Sequence, residues 1–206
     1  MKTILKYAVL FLLALATLFS FACKKPEENG PQEAEKFEII IPEGLNFVLT
    51  EDGYTYLVEG QHYAGEELEI PGRIDELSQV SEIGSFGFSN LTGLKKVTFP
   101  STIRKINAAA FEGCTALTAI NLPGTVQIVG TEAFEDCTSL SAVSIPADIA
   151  LCSDAFKGCT SLSEITYRGT LEQWQATIQY YGTAWIEADK TVTIHCTDGD
   201  YVLNEK

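Results

Sequence analysis

A unit of about 23 residues repeats through the middle of this amino-acid sequence. Its phenylalanines, separated by 23, 23 and 22 residues, are Phe88, Phe111, Phe134 and Phe156. Its prolines, separated by 23 residues, are Pro100, Pro123 and Pro146. The matching stretches between them are "LKKVTF" from Leu94, "LTAINL" from Leu117, "LSAVSI" from Leu140 and "LSEITY" from Leu162. Self-similarity at a fixed period of this length indicates a solenoid of stacked units rather than one closed globular core.

Each unit is predicted to contain one short strand that ends at the proline. Val97 and Phe99 alternate with polar neighbours, which is the period-two pattern of a strand with one buried face. Proline ends such a strand because it has no N–H to donate to a ladder. The small residues before Phe111 favour a short helical turn in the return segment. Since one unit cannot cover its own apolar face, we expect neighbouring strands to stack about 4.8 Å apart.

These residues resemble the BspA-like leucine-rich repeats of bacterial surface proteins. The positions that match that pattern are Ala133, Phe134, Cys137, Leu140, Val143, Ile145 and Pro146, with Val126, Val129 and Gly130 in the return. The resemblance extends from Leu68 to Tyr167 and departs from the pattern at Leu91, Asn107 and Cys152. It implies a leucine-rich-repeat solenoid with a short strand and an irregular or short helical return in each repeat.

Both ends of the array carry segments that differ from the repeat. Residues 46–60 alternate around an Asp-Gly turn, which predicts an N-terminal hairpin cap. At the other end, Thr170 and Gln173 have capping-box spacing before a helix, and residues 191–196 predict a last strand. The segment around the first tryptophan and "TIHCTDG" also resemble the usual C-terminal cap of the family. We interpret the two tryptophans as lids on the core, with a sugar-stacking platform as the alternative.

The N-terminus resembles a bacterial lipoprotein signal. Two lysines precede an apolar stretch, residues 8–22, which is shorter than a bilayer span of about 20 residues and stops before Cys23. In that pattern the chain is cut before the cysteine, which then carries the lipid; ordinary secretion and an uncleaved anchor are the alternatives. The next residues read as a tether, in which Glu27 and Glu28 resemble a signal for export to the outer face or are simply a solvated linker.

The predicted organisation is therefore a signal peptide, a tether, two caps and a repeat domain. The boundaries are 1–22 for the lipoprotein signal peptide, 23–36 for the tether, 37–69 for the N-terminal cap, 70–167 for the leucine-rich repeats and 168–206 for the C-terminal cap. We expect the protein to be lipid-anchored in the outer membrane through Cys23 and exposed at the cell surface, and to contact the membrane through the anchor alone.

The charge balance disfavours nucleic acid as a partner. The whole chain has a formal net charge of −14. Removing residues 1–22 would take away two lysines and no acidic residue, which makes the net charge −16. A nucleic-acid-binding protein needs the opposite sign to neutralise phosphates.

Three cysteines occupy one position of the repeat and should form a column inside the coils: Cys114, Cys137 and Cys159. Zinc is disfavoured because no close pair of cysteines or histidines completes four ligands. A disulfide is the second alternative, with Cys152 and Cys159 as the most plausible pair. We favour the third interpretation, in which each thiol is a small apolar filler beneath a phenylalanine.

Sequence motifs for catalysis, metals and cofactors are missing, so we expect no enzyme, no metal and no cofactor. His195 and Cys196 are neighbours on a predicted strand, where their side chains point to opposite faces and make a poor nucleophile–base pair. Residues 198–200, Asp-Gly-Asp, lack the later glutamate of a calcium loop and read as a turn.

The outward positions of the strands form two rows that are candidates for binding. The first row contains Lys96, Ala119, Ala142 and Glu164, and the second contains Thr98, Asn121, Ser144 and Thr166. The polar members Lys96, Thr98, Asn121, Ser144, Glu164 and Thr166 are the candidate binding residues. Short polar and β-branched side chains also suit a strand face that is merely solvated, which is the alternative.

The resemblance implies adhesion or protein–protein binding at the bacterial surface, with host matrix proteins or bacterial surface proteins as partners. Two other functions are carried as alternatives. One is an accessory lipoprotein that binds glycans or nutrients, although the two rows contain no aromatic residue for stacking on sugars. The other is a structural envelope lipoprotein without a ligand.

Overall fold

The structure, a computed structural model, describes residues 39, 41–53, 55–187 and 189–204. The described residues belong to one compact unit, Glu38–Lys206. The predicted signal peptide, the tether and the lipidation site Cys23 lie outside the described residues, as does the start of the predicted N-terminal cap. Within the described part, the chain contains no helix long and apolar enough to cross a membrane.

The described residues form thirteen strands and one helix. The elements are β1 Asn46–Leu49, β2 Thr55–Glu59, β3 Glu67–Glu69, β4 Gln79–Ile83, β5 Lys96–Thr98, β6 Lys105–Ile106, β7 Ala119–Asn121, β8 Ile128–Val129, β9 Ala142–Pro146, β10 Ala150–Leu151, β11 Glu164–Arg168, α1 Leu171–Tyr181, β12 Val192–His195 and β13 Asp200–Leu203. They confirm the predicted solenoid, because successive repeats contribute successive parallel strands.

Each coil contributes to two sheets. The first sheet has the order β13-β12-β11-β9-β7-β5-β3, and the second has the order β1-β2-β4-β6-β8-β10. Both are parallel except for the antiparallel pairs β12–β13 and β1–β2 at their ends. The predicted N-terminal hairpin is therefore confirmed, and β13 adds a hairpin that was not predicted. The first sheet already begins at β3, inside the segment assigned to the N-terminal cap.

The return segments are irregular, which is one of the two predicted forms, and they lack the short helical turn that was the other. Each of three returns contains a two-residue strand of the second sheet, followed by turns without helix. The positions two residues before and two residues after each repeat phenylalanine have φ between 52° and 74°: Phe86, Asn90, Ala109, Gly113, Glu132, Asp136, Asp154 and Gly158. An α-helix needs φ near −60° throughout, so two left-handed residues in each return prevent a helical turn.

The four repeat phenylalanines form one continuous column in the core. Neighbouring rings lie 5.2, 5.3 and 5.4 Å apart between centroids and are nearly parallel, with interplanar angles of 7°, 3° and 5°. All four side chains are fully buried. The predicted register of the repeats is confirmed, since slipping one coil by a residue would turn its apolar side chains to the opposite face.

The C-terminal cap closes the end of this column. Helix α1 begins with the predicted capping box, in which the Thr170 side chain accepts from the Gln173 N–H and the Gln173 side chain accepts from the Thr170 N–H. Trp185 makes an edge contact with Phe156 at 6.2 Å and another with Trp174 at 6.0 Å. Both indole side chains are buried, so they act as lids and are not available to stack on a sugar.

The turn at residues 198–200 also supports the cap. The Leu171 N–H, in the first turn of α1, donates to a carboxylate oxygen of Asp198 at 2.7 Å. An acidic group at this place satisfies one of the free N–H groups at a helix N-terminus and interacts favourably with the helix dipole. The predicted turn is found in the connection from β12 to β13, although Asp200 already belongs to β13, and the capping contact explains the position of Asp198.

Arg168 compensates for a proline in the first sheet. The Leu122 N–H donates to the Ser144 carbonyl at 2.9 Å. In a parallel ladder, the residue two places after Ser144 would donate its own N–H to the Leu122 carbonyl. That residue is Pro146, which has no N–H. The guanidinium of Arg168, which pairs with Pro146 in the next strand, donates to the Leu122 carbonyl instead.

Candidate binding face

The sequence-predicted binding residues lie on the outer face of the first sheet. In the first row, register pairs join Lys96 to Ala119, Ala119 to Ala142 and Ala142 to Glu164. In the second row, Asn121 pairs with Ser144, which pairs with Thr166. Their apolar neighbours along each strand point into the core, which is why the outward side chains align from coil to coil.

The two rows line one groove of about 540 Å³, which we call the sheet groove. The structure brings all six predicted polar residues together in it: Lys96, Thr98, Asn121, Ser144, Glu164 and Thr166. Ala119 and Ala142 lie between them and are exposed. Because their side chains are short, the strand backbone is the floor of the groove at its middle. A partner can therefore approach the strands closely at the centre.

The second row consists of neutral polar side chains. Among the described residues, the side chains of Thr98, Asn121, Ser144 and Thr166 make no hydrogen bond to the protein. Together they offer hydroxyl and amide groups that both donate and accept. The arrangement can form a line of hydrogen bonds with another chain, without displacing any internal bond of the fold.

Charges border this neutral line at the N-terminal end of the sheet groove. Lys95 lies 2.8 Å from a carboxylate oxygen of Glu66, and Lys96 lies 3.6 Å from one of Glu67. All four side chains are more than half exposed. Exposed pairs of this kind contribute about 0–1 kcal/mol to stability. They can therefore be exchanged for charges of a partner at little cost to the fold.

The structure places one more residue on this face, a histidine that the sequence analysis had assigned only to the C-terminal cap. His195 pairs in register with Thr166 and so continues the second row onto β12. Its Nδ1 lies 2.9 Å from a carboxylate oxygen of Asp200. The alternation in "TVTIHC" could have shown this position, because the apolar residue Ile194 is expected to face the core and His195, the next residue, then points outward. Ile194 is indeed buried. Cys196 packs half-buried against the core, as the opposite-face prediction required.

The side chains of the cysteine column are buried, and burial makes their thiols unreactive. Burial raises the pKa of Cys114 and of Cys159 to about 12, and it raises the pKa of Cys137 further in the same direction. A thiol that stays protonated is a poor nucleophile and a poor metal ligand. The five cysteines of the described residues are all free thiols, so Cys152 and Cys159 are not bridged. The described residues also contain no cluster of histidine, cysteine and acidic residues that could hold a metal.

Comparison with known proteins supports the repeat architecture. A family model described as "BspA type Leucine rich repeat region" matches residues 67–183 in six copies, which is more than half of the 206 residues. The match begins at β3 and continues past the end of α1. A comparison with curated proteins finds no match.

Two solved structures share this fold. The chain is similar to a leucine rich repeat protein of T. pallidum, with 23% identity and a TM-score of 0.51, over 63% of this chain and 71% of that one. It is also similar to a leucine rich cell surface protein of Faecalibacterium prausnitzii A2-165, with 24% identity and a TM-score of 0.51, over 66% of this chain. The matched part is only 41% of that second protein. At these identities the likeness shows the fold alone.

Proposed function

This chain belongs to the BspA-type leucine-rich repeat family, and on that premise we propose that it is a bacterial surface protein that binds another protein through the sheet groove. The observation that carries the proposal is the line of neutral side chains on the first sheet, which make no internal hydrogen bond among the described residues. Host matrix proteins and surface proteins of other bacteria are the partner classes we propose. Adhesion is the activity that such binding would serve.

The rigidity of the sheet supports this function. Strands β5, β7, β9 and β11 are locked into parallel register, and the phenylalanine column lies behind them. A pre-organised surface loses little conformational freedom when it binds. Four strands span about 15–20 Å, which is a modest footprint, so we expect one groove to bind weakly or transiently.

The N-terminal sequence supports display of this groove outside the cell. The basic start, the apolar residues 8–22 and the following Cys23 favour cleavage and lipidation, and the tether would hold the repeats away from the membrane. Several acyl chains together would anchor the protein stably, because each buried methylene contributes about 0.8 kcal/mol. Labelling with palmitate in cells expressing the wild type or Cys23→Ala tests the anchor, and equal labelling of both would contradict it.

A retention experiment tests the binding function. Residues 37–206, which include the whole compact unit, are immobilised and exposed to solubilised extracellular-matrix proteins and to bacterial surface proteins. We expect at least one defined protein to be retained and to elute with free residues 37–206 as competitor. Retention of nothing from either mixture would contradict the function and favour a structural envelope protein.

A further inference from the structure

A second groove lies between helix α1 and the turn that follows β9, away from the two rows of the first sheet. Its volume is about 370 Å³, and we call it the helix groove. The lining residues are Asp148, Gln173, Ala176, Thr177, Tyr180 and Tyr181. We propose that the helix groove is a binding subsite for a neutral carbohydrate, with Tyr180 as the surface on which a sugar ring stacks.

The spacing of the helix places these side chains on one face. Gln173, Thr177 and Tyr180 are separated by four and three residues, which aligns them along one side of an α-helix. The opposite side of α1 holds Trp174, which is buried, and Ile178, which packs against the core. The helix is therefore anchored from behind, and its outward face is not needed for packing.

The aromatic pair in this groove is exposed, and its two rings contact each other. Tyr180 is 81% exposed and Tyr181 is 48% exposed. Their ring centroids lie 4.7 Å apart and the ring planes are at 78°, which is an edge contact between the two rings. Aromatic faces carry partial negative charge, which attracts the C–H groups on the flat side of a pyranose ring. The Tyr180 ring, which is mostly in solvent, is accessible for this contact.

Polar groups around the tyrosines match the hydroxyl groups of a sugar. The carboxylate of Asp148 accepts hydrogen bonds, and its backbone is tied to the core because its N–H donates to the hydroxyl of buried Tyr167 at 3.4 Å. The side-chain Oε1 of Gln173 accepts from the Thr170 N–H, which leaves the amide N–H groups of Gln173 without a hydrogen-bond partner among the described residues. The Thr177 hydroxyl donates to the Gln173 backbone carbonyl at 2.9 Å and keeps its lone pairs to accept.

The charge of the groove selects a neutral sugar over an acidic one. Asp148 lines the groove, and the last turn of α1 carries no basic residue. The chain as a whole has a formal net charge of −14. A uronic or sialic acid would meet repulsion here without a cation to pair with its carboxylate, whereas neutral hexose hydroxyls can donate to Asp148. A groove with an apolar platform and a few placed polar groups is the usual form of a small-ligand site.

This subsite differs from the glycan site considered from sequence. That alternative was weakened because the two rows of the first sheet contain no aromatic residue, and the two tryptophans are buried. The exposed aromatic residues lie instead at the end of α1. The pair Tyr180-Tyr181 is not part of the repeat, so the repeat spacing could not predict that these rings are exposed. The proposal is independent of protein binding at the sheet groove.

Titration with defined sugars tests the proposal. Residues 37–206 are titrated with maltohexaose, cellohexaose and mannohexaose, each neutral, and binding is followed by calorimetry and by the NMR signals of the tyrosine rings. We expect at least one of them to bind and to shift the Tyr180 ring signals, and we expect Tyr180→Ala to weaken binding at least tenfold. Asp148→Asn should weaken it severalfold, because the charged acceptor is lost while the new residue type still tolerates the φ of 57° at this position.

Two variants serve as controls. Leu77→Ala removes another highly exposed large side chain, 91% exposed in the segment just before β4, and should bind the sugar as the wild type does. The double variant Asn121→Arg/Ser144→Arg obstructs the sheet groove and should also leave sugar binding unchanged. Because Tyr180 is largely in solvent, its replacement should not change the melting temperature, and a circular dichroism melt checks this.

Several results of these titrations would overturn the proposal. No binding to any of the three sugars overturns it, and so does equal binding by Tyr180→Ala and wild type. Sugar binding that is lost in Asn121→Arg/Ser144→Arg would place the site on the first sheet and would also overturn it. If Tyr180→Ala weakens retention of a protein while no sugar binds, the occupant of the helix groove is a polypeptide and the proposal is wrong.

Discussion

The thiol of Cys137 donates a hydrogen bond to the backbone carbonyl of Phe111 in the preceding coil, with an Sγ–O distance of 3.2 Å. The same contact joins Cys114 to Phe88 at 3.1 Å and Cys159 to Phe134 at 3.1 Å. The repeated cysteine is therefore more than a small apolar filler. It fills the space beneath the phenylalanine column and also links each coil to the one before it.

Replacing Cys137 with alanine should destabilise the protein by about 1–2 kcal/mol, because it removes a buried sulfur and one inter-coil hydrogen bond. The loss is moderate since the Phe111 carbonyl also accepts from the Cys114 N–H. Urea denaturation of residues 37–206 measures the change. Cys152→Ala is the matched control, because Cys152 is only half-buried, and should change the free energy of unfolding by less. Equal losses in both variants would contradict a specific role for the repeat position.

The exposure of the cysteines predicts the order in which a thiol reagent modifies them. In residues 37–206 at pH 8, Cys152 and Cys196 should react first because both are partly exposed. The repeat cysteines should react only after denaturation, since burial holds their pKa values high and hides the sulfur. Mass spectrometry of the labelled protein identifies the modified positions. Modification of Cys137 at the same rate as Cys152 would show that the column is not closed to solvent.

Stability should fall at alkaline pH. Burial raises the pKa of Cys114 and Cys159 from 9.0 to about 12, so in this range the unfolded chain loses thiol protons that the folded chain keeps. The folded state then binds more protons, and the free energy of unfolding decreases as pH rises. The contribution is intact below about pH 9 and is lost between pH 9 and 12. Urea midpoints at pH 8 and 10.5 should therefore differ less in Cys159→Ala than in the wild type, and an equal difference would contradict this cause.

Two glycines should respond differently to alanine. Gly158 has φ of 74°, and an added Cβ would lie 2.0 Å from a carboxylate oxygen of Asp136, so Gly158→Ala should cost about 1–2 kcal/mol. Gly124 lies in a turn without positive φ, and a Cβ there would meet nothing within 4 Å. Gly124→Ala should change stability by at most about 0.5 kcal/mol. Thermal unfolding of both variants measures the contrast, and a larger loss at position 124 would contradict the described turn geometry.

Much of this fold could be predicted from residue spacing. The regular period of phenylalanine, leucine and proline predicted the stack, and alternation of the kind seen at Val97 predicted which side chains point outward. The six candidate binding residues consequently lie in one groove, as two aligned rows require. The Asp-Gly turn and the Thr170–Gln173 capping box located the two caps, because both depend on local contacts that a short sequence specifies.

Other features had no readable signal. Strands β6, β8 and β10 have two residues each, too few for an alternating pattern, so the second sheet was missed. Left-handed backbone at Phe86 and Ala109 could not be inferred, because these residue types avoid that conformation and adopt it here under tertiary hydrogen bonding. The contact of Arg168 with Leu122 spans two coils and depends on the register of the whole stack.

The central claim is that the face of the first sheet, rather than the second, binds a protein partner. The most direct test is the equilibrium dissociation constant of the retained partner, measured by surface plasmon resonance for three forms of residues 37–206. The forms are the wild type, Asn121→Arg/Ser144→Arg on the first sheet, and Ile128→Arg on the exposed side of the second sheet. We predict that the double variant binds at least tenfold more weakly and that Ile128→Arg binds as the wild type does. Unchanged binding by the double variant together with loss in Ile128→Arg would contradict the account.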